Sequence, residues 1–163
     1  MQLKNPTHIV IHTAAAGTTK AIDQSAATIR AYHVKTKKWS DIGYHFVVRL
    51  DGDVEEGRPL NQVGAHVEGF NSQSVGICFA GHGDLQDFTP EQKKAGITLV
   101  CQMLEHFELT DEFKKNPMRV IGHREINQLI DAGVAKGTPK TSKTCPGKKV
   151  DMSAFRKAVL AAL

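Results

Sequence analysis

Two short apolar runs constrain the fold more than any other feature of the chain. Residues His8–His12 and Ser74–Ala80 carry apolar side chains at consecutive positions, without the polar alternation of a strand that has one face in water. Such runs are typical of interior strands in a parallel sheet that is covered on both faces. They predict an α/β protein, and 40% hydrophobic residues in a chain of 163 suffice to bury its core.

Helix and strand signals alternate along the rest of the chain. Thr89 is a predicted N-cap, Pro90 suits the first helical position, and an apolar stripe then predicts the longest helix, ending near Phe107. Asp51-Gly52 predicts a hairpin turn. The other predicted elements are a helix over 22–34, strands over 44–50 and from Val54, a strand over 118–121, a helix over 125–130, and a C-terminal helix capped by Asp151 or Ser153 and running through Leu160. This order predicts one central mixed β-sheet flanked by helices.

The length predicts a single domain over 1–163, with a core over about 8–151 and no separate binding domain. Residues 133–149 are rich in Gly, Pro, Thr and Lys and predict a long functional loop.

No apolar run is long enough to cross a bilayer, and no secretion signal is visible, so we expect synthesis in the cytoplasm and no membrane insertion. Three cysteines without such a signal make a disulfide framework improbable.

The net charge of +4 favours contact with anionic polymers in general. Only 6% of the residues are aromatic, and no nucleic-acid-binding motif is present, so we expect no nucleic-acid partner. The charge alone therefore names no specific ligand.

Three potential metal ligands follow strands or lie in the long loop. His12 closes the first interior strand, His123 follows the strand Arg119–Ile121 by one glycine, and Cys145 lies in the loop. Two imidazoles and one thiolate form a ligand set that suits zinc and leaves a fourth position open. Their spacing matches no short zinc motif, so the residues alone leave buried core histidines and an ordinary loop thiol as alternatives.

Six ordered segments carry a family resemblance that no single motif would support. They are Ile9-Val10-Ile11-His12-Thr13, Asp41-Ile42-Gly43-Tyr44-His45-Phe46, Val63-Gly64-Ala65-His66, Asn71-Ser72-Gln73-Ser74-Val75-Gly76-Ile77, Gly122-His123-Arg124-Glu125 and Lys143-Thr144-Cys145-Pro146-Gly147. Together they resemble the type 2 N-acetylmuramoyl-L-alanine amidases, a family that includes amidase-type phage lysozymes and peptidoglycan recognition proteins. The chain departs from the shortest phage members by an insertion around 126–142.

The resemblance implies one zinc ion held by His12, His123 and Cys145. It also implies that Tyr44 and Lys143 are the catalytic residues, with Tyr44 orienting water or relaying a proton. By the same match His66 and Asn71 are substrate-binding residues, His66 in the groove near the metal.

The implied activity is hydrolysis of the amide bond between N-acetylmuramic acid and L-alanine in bacterial peptidoglycan. The expected role is that of a phage endolysin, a monomer that acts on the cell wall and needs a membrane-permeabilising partner of the holin type. One alternative is a cytosolic amidase that recycles muropeptides, whose third ligand is typically an aspartate where this chain has Cys145. Another is a non-catalytic peptidoglycan-recognition module, which typically lacks the cysteine.

Overall fold

The computed structural model describes all 163 residues and contains five strands in one sheet. The strands are β1 (His8–Thr13), β2 (Phe46–Val48), β3 (Val54–Glu56), β4 (Ser74–Phe79) and β5 (Val120–Gly122). Their order across the sheet is β3-β2-β4-β1-β5; β3 pairs antiparallel with β2, and every other pairing is parallel. The predicted α/β class with a central mixed sheet is confirmed.

Every residue of β1 and β4 is buried, as the consecutive apolar runs predict. One face of the sheet packs against the second and fifth helices, α2 (Pro90–His106) and α5 (Met152–Ala162), in a cluster that includes Phe79, Leu104 and Phe155. The other face packs against α1 (Ala26–Lys35) and α4 (Ile126–Asp131). Both faces are therefore covered, which removes the need for alternating polar residues in the central strands.

The helices confirm most of the predicted pattern. Thr89 caps α2 in a reciprocal capping box with Gln92, Pro90 is its first residue, and Phe107 is its C-cap. Asp151 rather than Ser153 caps α5. None of the helices combines the length and the apolar character needed to cross a membrane.

The predicted start of α1 at Ile22 is wrong by four residues. The Asp23 carboxylate accepts hydrogen bonds from the Leu50 N–H and the Arg49 guanidinium, both at 3.0 Å, and holds this segment beside the end of β2. Ser25 then accepts from the Thr28 N–H, so the helix begins at Ala26. Ile22 is 57% exposed and does not belong to the buried face of the helix.

Other boundaries differ by a few residues. The strand predicted over 44–50 is limited to the three residues of β2, and Pro117–Arg119 form a 3₁₀ turn before β5. A short helix, α3 (Thr110–Lys115), was not predicted, because its six residues carry only one buried side chain, Phe113. Residues 132–151 contain no helix or strand, as expected for the long loop.

A buried ion pair joins the end of β5 to the C-terminal helix. The Arg156 guanidinium donates to both carboxylate oxygens of Glu125, at 2.7 and 2.9 Å, and to the carbonyl of Val120. Glu125 also accepts the Gly122 N–H at 2.8 Å. The two side chains are only 12% and 10% exposed, so neither charge is well hydrated without the other.

We predict that Arg156→Ala lowers the free energy of unfolding by about 3 kcal/mol, because it leaves the Glu125 carboxylate buried without a partner. Urea unfolding followed by circular dichroism measures this change. Lys157→Ala, on the exposed side of the same helix, is the matched control and should change stability by no more than about 0.5 kcal/mol. Equal stability of the two variants would contradict the structural role of the pair.

Candidate metal centre and groove

The structure brings His12, His123 and Cys145 together at one edge of the sheet. One donor atom from each residue can be chosen so that all three lie within 4.8 Å of one another. The Cys145 Sγ lies 3.7 Å from the His12 Nδ1, and the two imidazole centroids are 4.9 Å apart. His12 is buried, whereas His123 and Cys145 are partly exposed and leave one side of the cluster open to the groove described below.

The parallel pairing of β1 and β5 places the two histidines. Ile11 pairs with Gly122, so His12 and His123 are the next residues along two neighbouring strands. A side chain at Gly122 would meet the Pro146 ring, with its Cβ only 2.6 Å from the Pro146 Cδ. The glycine therefore allows the loop that carries Cys145 to approach this edge.

Arg124 ties the loop of Cys145 to the turn of His123. Its backbone N–H donates to the Cys145 carbonyl at 2.7 Å. Its guanidinium donates to three further carbonyls of this loop, those of Thr144 (3.2 Å), Gly147 (2.7 Å) and Val150 (2.7 Å). The turn of His123 and the loop of Cys145 are thereby linked through the backbone and the side chain of one residue.

Asp84 holds the same loop from the side of β4. Its carboxylate accepts the Thr144 hydroxyl at 2.9 Å and the Lys148 N–H at 2.7 Å, and these bonds lower the pKa of Asp84. The Thr13 N–H, next to His12, donates to the Cys145 Sγ at 3.3 Å. The sulfur thus has a defined place although it lies on a loop.

The electrostatics of the cluster suit a bound cation. Burial lowers the pKa of His12 well below its ordinary value and that of His123 to about 4, so both imidazoles have a lone pair at neutral pH. Burial raises the pKa of Cys145 to about 11, and a thiolate at this position needs a strong neighbouring positive charge. Two neutral imidazoles and one thiol sulfur, with no carboxylate among them, fit zinc better than magnesium or calcium.

Tyr44 and Lys143 line the same groove as the three potential ligands. The Tyr44 ring lies 5.0 Å from the His12 ring, and burial, with a contribution from Cys78 and Cys145, raises the pKa of Tyr44 well above 10. Lys143 is exposed, yet its charge contributes to the lowered pKa of both His12 and His123. The structure thus places both of these predicted residues beside the cluster.

The groove has a volume of about 920 Å³ and is open to solvent. One wall carries Tyr32 and Trp39, and the Trp39 ring contacts the His33 ring with centroids 4.5 Å apart. Residues of the loop over 139–145 also line the groove. A lining that combines aromatic and polar side chains suits an extended ligand with both apolar and polar parts.

His66 and Asn71 also line the groove, and both make side-chain contacts inside the protein. The His66 Nδ1 lies 2.9 Å from the His12 Nε2, and burial lowers the pKa of His66 to about 3. The Asn71 Oδ1 accepts the backbone N–H groups of His66 and Val67, both at 2.8 Å. Neither residue is one of the three donors of the cluster.

Sequence reasoning did not find the roles of Arg124 and Asp84. Arg124 lies inside a segment that carries the family resemblance, but its contacts are with backbone carbonyls, which leave no sequence signal. Asp84 lies in a turn after β4, in none of the six segments. Only the folded loop shows what these two residues hold.

The chain belongs to the family whose model is described as N-acetylmuramoyl-L-alanine amidase, which matches residues 2–148. The resemblance stated from the six segments is thereby confirmed. Three proteins illustrate its relatives: the endolysin of Klebsiella phage KP32 (41% identity over 100 residues), the endolysin of Enterobacteria phage K11 (47% over 83) and peptidoglycan-recognition protein SC2 of Drosophila melanogaster (30% over 144).

These matches cover 58%, 47% and 87% of this chain, respectively. They span only 64% and 54% of the two endolysins, and 68% of the Drosophila protein. Among solved structures, N-acetylmuramoyl-L-alanine amidase LysC from Clostridium intestinale URNW has a TM-score of 0.73 at 27% identity, covering 94% of this chain and 84% of that one. Drosophila peptidoglycan recognition protein SD shares the fold with a TM-score of 0.72, at 23% identity and with 94% and 82% coverage.

We predict that Arg124→Ala makes the Cys145 thiol at least tenfold more reactive toward a maleimide in metal-free protein. The variant loses three hydrogen bonds from a charged donor to the loop carbonyls, each worth about 1.5–3 kcal/mol. Labelling at Cys145 is followed by peptide mass spectrometry, which separates it from Cys101. Arg30→Ala, which removes an arginine paired with Asp41 at the surface, is the control and should leave the rate unchanged. An unchanged rate in Arg124→Ala would show that the loop is held by other contacts.

Proposed function

We propose that this chain is a zinc-dependent hydrolase that cuts the amide bond between N-acetylmuramic acid and L-alanine of peptidoglycan. The observation that carries the proposal is the cluster of His12, His123 and Cys145, which lines an open groove. The family match supports the reaction, since the matching family is one of N-acetylmuramoyl-L-alanine amidases.

In this proposal His12, His123 and Cys145 hold one zinc ion. When bound with an open coordination position, zinc polarises a substrate carbonyl and lowers the pKa of bound water to about 7. The protein's part is to hold the three donors together, through β1, β5 and the Arg124 contacts, and to present the scissile amide from the groove.

Lys143 is proposed to stabilise negative charge that develops on the carbonyl oxygen during attack. Its ammonium group lies on the groove wall close enough to influence both histidines and Cys145. A positive group aimed at developing charge lowers the barrier, because it is already oriented before the reaction begins.

Tyr44 is proposed to act as a hydrogen-bond donor. Burial raises the pKa of its phenol well above 10, so the hydroxyl keeps its proton at neutral pH and is unsuited to act as a general base. A protonated phenol beside the His12 ring can orient water or the substrate carbonyl. In this proposal Tyr44 is a catalytic residue that contacts the reacting groups directly.

We further propose that residues 1–163 act as one catalytic domain and that the biological role is that of a phage endolysin. The relatives in Klebsiella phage KP32 and Enterobacteria phage K11 support this role. In this role the protein acts as a monomer on the bacterial cell wall after synthesis in the host cytoplasm, and a holin-type partner gives it passage through the membrane. His66 and Asn71 line the same groove as the three proposed ligands.

We predict that the zinc-loaded protein releases new amino-terminal L-alanine from purified peptidoglycan without new reducing sugar ends. Removal of the metal by a chelator, or Cys145→Ala, should reduce the release at least 100-fold. Labelling of new amino termini and a reducing-sugar assay on the same digest measure the two products. Cys101→Ala is the matched control, because this thiol lies against the Val159 carbonyl of α5 and is not one of the three donors.

Two outcomes would contradict the proposal. New reducing ends in place of amino termini would indicate a glycosidase. Tight binding to peptidoglycan with neither product, at full zinc occupancy, would indicate the recognition-module alternative. The similarity to the Drosophila recognition protein supports testing this alternative.

A further inference from the structure

The His66 ring lies in a slot between two glycines. A Cβ added to Gly76 of β4 would lie 2.6–2.8 Å from three atoms of the ring. A Cβ added to Gly64 would lie 2.9 Å from the His66 Cδ2. Real side chains do not approach this closely, so the ring is accommodated only because both positions lack a side chain.

Both ring nitrogens of His66 have partners inside the protein. The Nδ1 lies 2.9 Å from the His12 Nε2, and the Nε2 lies 3.4 Å from the Ser74 Oγ. Ser74 is fully buried and donates its hydroxyl proton to the Phe70 carbonyl at 2.8 Å. The backbone of His66 is held as well, by the Asn71 Oδ1.

This chain of contacts determines where the protons lie. A serine hydroxyl has one proton, and the bond to the Phe70 carbonyl uses it, so the Ser74 Oγ can only accept from the His66 Nε2–H. A neutral imidazole carries a single ring proton, which here lies on Nε2, so the His66 Nδ1 is a lone pair. The Nδ1 must therefore accept a proton from the His12 Nε2–H.

The consequence reaches the proposed metal site. A neutral His12 that carries its proton on Nε2 has its lone pair on Nδ1. That nitrogen is the one 3.7 Å from the Cys145 Sγ, on the side of the three-donor cluster. The opposite tautomer would place a proton between the two atoms.

We propose that His66 is a positioning residue that, through Ser74 and the Phe70 carbonyl, sets His12 in the tautomer whose Nδ1 can bind the metal. The inference rests on the proposed function, in which His12 is a zinc ligand. His66 acts through His12 and not on the substrate, since both of its ring nitrogens are engaged in the protein. Asn71 belongs to the same arrangement because it holds the His66 backbone.

The first test reads the tautomers directly in the wild-type protein. Long-range ¹H–¹⁵N correlation spectra of ¹⁵N-histidine-labelled protein distinguish a protonated Nδ1 from a protonated Nε2. We expect His66 and His12 both to be protonated on Nε2, with and without zinc. A proton on the His66 Nδ1 would overturn the proposal.

The second test measures zinc affinity by competition with a chromophoric chelator. We expect His66→Ala to weaken zinc binding about 10–100-fold, as is typical when the partner of a ligating histidine is lost. His66→Asn should recover most of the loss, because its amide oxygen can accept the His12 proton from a similar position. The zinc affinity of Ser74→Ala should lie between those of His66→Ala and His66→Asn, since this change removes only the group that orients His66.

His8→Asn is the matched control. His8 is a buried histidine on the same strand as His12, and its ring nitrogen contacts Thr7 instead of the cluster. We expect this variant to bind zinc within twofold of the wild type, even where it lowers stability. A general loss of packing would instead weaken His8→Asn and His66→Ala alike.

The outcomes separate this inference from the proposed function. Unchanged zinc affinity in folded His66→Ala, with zinc binding still abolished by His12→Ala, would overturn the positioning role alone. Zinc binding that is insensitive to His12→Ala would overturn the metal site itself. If His66→Ala does not fold, the wild-type spectra and the zinc affinity of Ser74→Ala test the positioning role of His66.

Discussion

The parallel pairing of β1 with β5 is the constraint on which the rest of the site depends. Because Ile11 is opposite Gly122, the residues that follow lie side by side: His12 within β1 and His123 directly after β5. The pairing is maintained by strands that are buried on both faces, so a shift in register would cost most of the core. Two donors for a metal are therefore positioned by the same interactions that hold the fold together.

The third donor depends on different contacts, since Cys145 lies on a loop. Arg124 and Asp84 provide these contacts from two sides, one next to His123 and the other after β4. Lys143, two residues before Cys145, is carried by the same loop segment. The position of the proposed electrostatic residue and that of the proposed sulfur ligand are thus coupled.

Much of this arrangement could be predicted from the sequence. The consecutive apolar runs identified β1 and β4, and the Thr89-Pro90 signal located the start of α2. The apolar spacing predicts a start of α1 that is too early, because tertiary contacts of Asp23 override this spacing at Ile22. The short helix α3 has too few buried side chains to give a periodic signal.

The site was predictable to the level of residue types, but not of hydrogen bonds. His12, His123 and Cys145 were named from strand ends and family resemblance, whereas the contact of His66 with His12 joins positions that are distant in sequence. Neither a spacing rule nor a motif reports which nitrogen of a ring faces which neighbour. The proposal that His66 has a positioning role therefore depends on contacts that only the folded chain shows.

The central claim is that His12, His123 and Cys145 hold a zinc ion, and X-ray absorption at the zinc K-edge tests it most directly. The protein is loaded with one equivalent of zinc and compared with Cys145→Ala. The account predicts one sulfur at about 2.3 Å and two imidazole nitrogens at about 2.0–2.1 Å in the wild type, with the sulfur lost in the variant. A wild-type spectrum with only nitrogen and oxygen neighbours, or a sulfur signal that survives in Cys145→Ala, would contradict it.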